Sequence, residues 1–203
     1  PGAGWAWRTG TLTAMPDGTA PLAAGIGCTV RQASTAASTD ASNCFVMYTS
    51  AASGGSSAGW IMGSGSGTGM GWSQRRLMPR LRLFVKTGST ITDTRHLFGW
   101  LSSELVNADT SALHHILVMS STVLGDTTFW LSNRDGTTQE RVNTGVTVAA
   151  DTNYLIDVWS DGTTSYCQIN GSAIISNALN PPAAGTNLGC IAQAVAIASA
   201  GRV

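Results

Sequence analysis

Three turn dipeptides in the second half of the chain constrain its fold more than any other feature. Asp135-Gly136, Asp161-Gly162 and Asn170-Gly171 each interrupt short alternating or apolar runs. Such dipeptides supply the positive φ that tight hairpins require, so the flanking runs read as antiparallel strands. Those runs are Thr128 to Asn133, Tyr154 to Trp159 and Ser165 to Ile169. Earlier runs of the same kind are Leu81 to Lys86, Arg95 to Trp100 and His115 to Met119. Arg141-Val142-Asn143 and Val146-Thr147-Val148 flank Gly145, and a last run covers Cys190 to Ile197, beyond the breaker Pro181-Pro182. Short strands at a spacing of roughly 8–12 residues predict an all-β sandwich or barrel. Ser102 to Ala112 reads as a loop or one helical turn, and no long amphipathic helix is visible.

Charge and composition point the same way. Only 11% of the residues are charged, against 43% hydrophobic. A solvated helix face normally uses Lys and Glu, whereas Thr, Ser and Asn suit pleated surfaces and turns. Eleven basic and eleven acidic residues cancel. No net field attracts nucleic acid or an anionic membrane, and weak self-repulsion suits a subunit of an assembly. No run has the length and apolarity of a transmembrane helix.

The first 75 residues differ in character, being rich in Gly, Ala, Ser and Thr, with Trp5, Trp7, Trp60 and Trp72 as large anchors. Residues 1–25 read as an N-terminal arm and 26–203 as the folded domain. Cys44 to Thr49 reads as a strand. The runs Gly54 to Gly59 and Gly63 to Gly71 read as flexible loops around the apolar island Trp60-Ile61-Met62. No Gly-Lys-Ser/Thr ending follows these glycines, which excludes a phosphate-binding loop of that type.

The stretch from residue 126 to 175 resembles the concanavalin A-like lectin/glucanase jelly-roll domains found in bacteriophage structural proteins. The residues that carry the resemblance are Asp126 to Trp130, Asn133-Arg134-Asp135-Gly136, Gly145 to Tyr154, and the pair of runs from Asp161-Gly162 to Ile169-Asn170-Gly171. Arg95 to Trp100 resembles an earlier strand of that family. The resemblance implies an antiparallel jelly-roll sandwich and a further strand, which the N-terminal region could supply. It also implies a virion role: a capsid decoration (cement) subunit, homotrimeric and bound to major capsid or other virion proteins. The alternative is a carbohydrate- or receptor-binding domain of a tail fibre or a secreted protein.

Chemistry-bearing residues are few. Glycosidases need two carboxylates about 5–5.5 Å apart for retention, or farther apart for inversion. The chain has only Glu104 and Glu140 as glutamates, and Asp135 and Asp161 fit turn positions. His114 and His115 are adjacent, so on a strand they face opposite sides and do not chelate one metal; His96 stands apart. Asn133, Asp135 and Asn143 could approach one another, but turn chemistry accounts for them and no metal is predicted. From these absences the chain is expected not to be an enzyme and to need no cofactor.

Expected contacts are therefore with partners. Trp5 and Trp7 lie on one side of an extended segment and suit docking onto a neighbouring subunit. Arg75 and Arg76, with Arg80 and Arg82, form the one basic concentration and suit an acidic protein surface, or a charged strand edge. Exposed tryptophans would suit a glycan, whereas Trp100, Trp130 and Trp159, in regular strands, are expected in the core. Cys28, Cys44, Cys167 and Cys190 allow three pairings if oxidised, with Cys28–Cys44 and Cys167–Cys190 one of them. Four buried free thiols are the other reading.

Overall fold

A computed structural model describes residues 80–88, 90–102, 109 and 113–196, together with the backbone of short strands at 22–23, 28–32, 57–62 and 72–73. The strands in chain order are β1 (Leu22–Ala23), β2 (Cys28–Gln32), β3 (Ser57–Met62), β4 (Trp72–Ser73), β5 (Leu81–Lys86), β6 (Thr94–Leu101) and β7 (His115–Ser121). They continue with β8 (Thr128–Arg134), β9 (Gln139–Thr147), β10 (Asn153–Ser160), β11 (Ser165–Ile169), β12 (Ile175–Asn177) and β13 (Asn187–Ala196). A single 3₁₀ turn, Thr122–Leu124, follows β7. No helix among the described residues is long and apolar enough to cross a membrane.

The strands form two antiparallel sheets. A nine-stranded sheet runs β1-β2-β3-β13-β6-β7-β8-β9, with β4 also paired to β13. A four-stranded sheet runs β12-β11-β10-β5. Together they make the expected jelly-roll sandwich. The N-terminal third supplies β1 to β4.

Period-two alternation builds the core. Phe98, Trp100, Ile116, Val118, Phe129 and Leu131 point inward from the large sheet and meet Tyr154, Ile156, Val158, Cys167 and Ile169 from the small one. Phe129 and Tyr154 pack edge-to-face at 5.0 Å. The Tyr154 hydroxyl accepts from Ala149 N at 2.8 Å and donates to Thr147 O at 2.9 Å, clipping the β9–β10 connection over the core. Asn133, fully buried, donates to the carbonyls of Asn177 and Leu179 and ties β8 to the end of β12.

The turns explain themselves chemically. Asp-Gly-Thr-Thr occurs twice, at 135–138 and at 161–164. In both copies one aspartate oxygen accepts from the backbone N–H groups two and three residues on and from a threonine hydroxyl, at 2.7–2.9 Å. At the third turn Asn170 (φ 51°) and Gly171 (φ 71°) are both left-handed, as a primed hairpin turn requires.

Three expectations are corrected here, and one of two alternatives is decided. Ser57, Ala58 and Gly59 belong to β3, because pairing with β13 absorbs residues that composition assigns to a loop. The runs around Gly145 form one strand, β9, through a register shift opposite Thr128 and Trp130. Trp130 and Trp159 are half-buried on outer faces, and of Trp100, Trp130 and Trp159 only Trp100 is in the core. Cys167 and Cys190 are buried free thiols, and burial pushes the Cys167 thiol up to about 12. The Cys44 to Thr49 strand and the Gly63 to Gly71 loop lie outside the described residues, as does the side chain of Cys28.

Candidate functional site

The outer face of the four-stranded sheet holds a polar and aromatic surface open to solvent. Its rows follow from the register. Arg82, Asp157 and Gln168 lie side by side across β5, β10 and β11. One row along, Trp159, Tyr166 and Ser176 lie side by side across β10, β11 and β12. In the other direction exposed Phe84 stands beside Leu155.

Asp157 organises the first row. Arg82 Nε donates to Oδ1 at 2.8 Å, and its Nη2 donates to Oδ2 at 3.1 Å, a bidentate pair. Arg80 Nη2 adds a bond to Oδ2 at 3.0 Å and reaches Gln168 Oε1 at 3.3 Å. The Asp157 carboxylate is 4% exposed while the arginine side chains are 44% and 63% exposed. Hydrogen bonding from Arg82 holds the Asp157 carboxyl below its usual range against the opposing effect of burial. Two guanidiniums thus share one carboxylate and keep outward-facing N–H groups.

Trp159 links the rows. Its ring stacks with Tyr166 at 5.5 Å and 14°, and the Arg80 guanidinium lies 4.3 Å from its ring centroid. The Tyr166 hydroxyl donates to Asp161 Oδ2 at 2.9 Å, which raises the phenol above its usual range. Asp161 is held low, mainly by the backbone N–H of Thr163. Beyond Tyr166 the neighbour is exposed Ser176, a small residue that leaves that side of the ring uncrowded.

The large sheet carries a different outer face. Its centre is a second apolar cluster of Leu97, Leu101, Leu117, Met119 and Ile191, all buried. Polar groups flank it. Arg95 pairs with Asp109, which also accepts from the Ser121 hydroxyl at 2.9 Å. His115 Nε2 lies 2.9 Å from Ser132 Oγ, which accepts from Gln139 Nε2 at 2.8 Å. Arg141 pairs with Asp126 and lies 4.7 Å above the Trp130 ring. Desolvation, reinforced by the charges of Arg134 and Arg141, lowers His115 to about 3, so it is neutral near pH 7. His96, on the core side and bonded to Ser120 Oγ at 3.1 Å, is lowered by burial to about 4.

The residues singled out in the sequence fall as follows. Trp5, Trp7, Arg75 and Arg76 lie outside the described residues, as does Glu104. Arg80 and Arg82 meet over Asp157 on a sheet face. His115 is fully buried and His114 half-buried beside Gly136. Asn133 points into the sandwich, Asp135 closes a turn, and Asn143 bonds Thr128 and Gly145, so the three do not converge. Asp157, Trp159, Tyr166 and Gln168 were not singled out as a group. Their signal was legible: on either side of Asp161-Gly162 a hairpin register pairs 159 with 166 and 157 with 168.

The sequence matches no protein-family profile and no curated protein. Among solved structures the chain is similar to alginate lyase A1-II', a member of polysaccharide lyase family 7, at 10% identity and a TM-score of 0.43, over 71% of this chain and 70% of that one. A variant of the same enzyme in complex with product gives 10% identity and a TM-score of 0.43 over 87% and 79%. The likeness is one of fold. It corrects one expectation: the similar structures are enzymes, and the reading of this chain as a non-enzyme does not stand. The phage-capsid part of the resemblance is not carried by these structures. What is shared is the jelly-roll fold.

Proposed function

We propose that this protein recognises a carbohydrate chain on the outer face of its four-stranded sheet. The observation that supports this is the pair of adjacent rows, Arg82–Asp157–Gln168 beside Trp159–Tyr166–Ser176, held on rigid strands and open to solvent. A pyranose ring offers an apolar C–H face and a rim of hydroxyls. Aromatic rings match the first, and the amide of Gln168 and the guanidinium groups of Arg80 and Arg82, which Asp157 holds in place from beneath, match the second. The stack against Arg80 and the bond from Tyr166 to Asp161 fix both rings before any ligand arrives, which reduces the ordering cost of binding.

The test is affinity electrophoresis of the full chain through gels containing soluble polysaccharides, with wild type beside Trp159→Ala and Tyr166→Ala. Retardation by at least one polysaccharide, lost in both variants, is the expected result. Migration of wild type unchanged by every polysaccharide, or equal retardation of the variants, would reject the reading.

A further inference from the structure

Arg80, Arg82, Phe84 and Lys86 occupy alternate positions leading into and along β5, and all four are exposed on the outer face of the small sheet. Among the described residues two carboxylates answer these three cations: Asp157 beneath Arg80 and Arg82, and Asp151 beside Lys86 at 3.7 Å. Asp157 is recessed under the guanidiniums, so its charge is withdrawn while theirs meets solvent. Asp161, at the other side of the aromatic pair, is engaged by its own turn and by the Tyr166 hydroxyl. The face therefore has a cationic margin along β5, with the aromatic row running away from it.

The geometry at Arg82 leaves a binding group free. A guanidinium is planar and carries five N–H bonds, forming a side-on fork through Nε and an end-on fork through the two Nη groups. Asp157 takes the side-on fork of Arg82, through Nε at 2.8 Å and Nη2 at 3.1 Å. No other acceptor meets the Arg82 side chain among the described residues. Its end-on fork is thus held in a fixed direction by Asp157 and stays open to solvent. Arg80 is committed differently: its Nη2 reaches Asp157 and Gln168, and its guanidinium lies over the Trp159 ring.

We infer that the glycan taken on this face is acidic, and that Arg82 selects it by holding two oxygens of a carboxylate or sulfate group in its end-on fork. The inference rests on the carbohydrate reading of this face and adds the substrate class. A neutral hydroxyl accepts from one N–H of the fork, whereas an oxyanion accepts from both and is matched in charge. Arg82 and Tyr166 stand two strands and one row apart, on the order of 12 Å. One chain of several sugars therefore meets both, with the acidic group on a different unit from the ring packed at Tyr166. The adjoining Trp159–Tyr166 pair favours a sugar over an acidic peptide, because a flat apolar surface suits the C–H face of a pyranose.

The experiment measures the affinity of the full chain by affinity electrophoresis in matched polysaccharides: polygalacturonate against its methyl ester, hyaluronate against its carboxyl-reduced form, and dextran sulfate against dextran. The acidic member of at least one pair is expected to bind at least roughly tenfold more tightly, by a margin that shrinks as salt is added. Arg82→Gln is expected to abolish this preference. Arg82→Lys, which keeps the charge without the fork, is expected to retain only a minor part of it. A preference confined to the carboxyl pairs assigns a uronate, and one confined to dextran sulfate assigns a sulfate ester; either supports the inference. Equal binding of acidic and neutral members would overturn it and leave the carbohydrate reading standing, whereas no binding of any polysaccharide would remove both. Full preference in either Arg82 variant would overturn the role of the fork. Poly-glutamate bound as tightly as the best acidic polysaccharide would give the face to an acidic protein and overturn the glycan class.

Discussion

Gly99 on β6 lies so close to Ile116 on β7 that a β-carbon at Gly99 would stand 2.3 Å from the Ile116 carbonyl oxygen. The position also has φ +145°, a conformation that L side chains rarely adopt. Neither obstacle is a flexible side chain, and the contact sits in the middle of the β6–β7 ladder. Gly99→Ala is expected to destabilise the fold by about 3 kcal/mol or more. Gly145→Ala, at φ +73° with open space around it, is expected to cost about 1 kcal/mol. Urea midpoints for the two variants check the contrast, and equal midpoints would contradict it.

Tyr154→Phe keeps the edge-to-face packing on Phe129 and removes only the hydroxyl. Ala149 N–H and Thr147 C=O then lose their partner. A loss of about 1–3 kcal/mol is expected by chemical denaturation, with no change in the denaturant slope.

Acid is expected to destabilise this protein in two stages. In the unfolded chain His96 and His115 take up protons near pH 6.5, while in the native state they do so only near 4 and 3. Between those values the unfolded state binds more protons, so stability falls as pH drops from about 6.5 toward 4, by on the order of 3 kcal/mol per histidine. Asp135, lowered to about 2 by hydrogen bonds led by Thr138 N–H, contributes stability that is lost only below about pH 4. His115→Gln should flatten the upper stage. A stability constant from pH 7 to pH 4.5 would be inconsistent with two buried neutral histidines.

Asp157→Asn tests the organiser of the proposed carbohydrate face. The amide fills the same space but no longer balances Arg80 and Arg82. Because both arginines are largely exposed, a stability loss of only about 1 kcal/mol is expected. Polysaccharide retardation should fall much further than stability, since the row loses its fixed geometry. Retardation equal to wild type would separate Asp157 from recognition.

Much of the architecture is local in origin and so could be read from the chain. Leu81–Lys86 and Ser165–Ile169 are strands with the predicted bounds, because alternation and turn chemistry act between near neighbours. Asp135, Asp161 and Asn170 mark their turns for the same reason: each side chain or φ angle acts on residues at most three positions away. What sequence could not decide is which face of a strand meets the other sheet. Trp100, Trp130 and Trp159 all sit in apolar or alternating strands, and a one-residue difference in phase sends a side chain to the core or to the outside. That phase is set by which strands pair and which sheet covers them. The same long-range pairing turned Ser57–Gly59 from a glycine-rich run into a ladder with β13, and brought Arg80 and Arg82 onto Asp157 across more than seventy residues of chain. An all-β chain and its hairpins were legible in the residues alone, because those depend on contacts between neighbours. The tertiary structure alone decided the two outer faces, because each is assembled from strands far apart in the chain, whose side chains meet only when the sheets close.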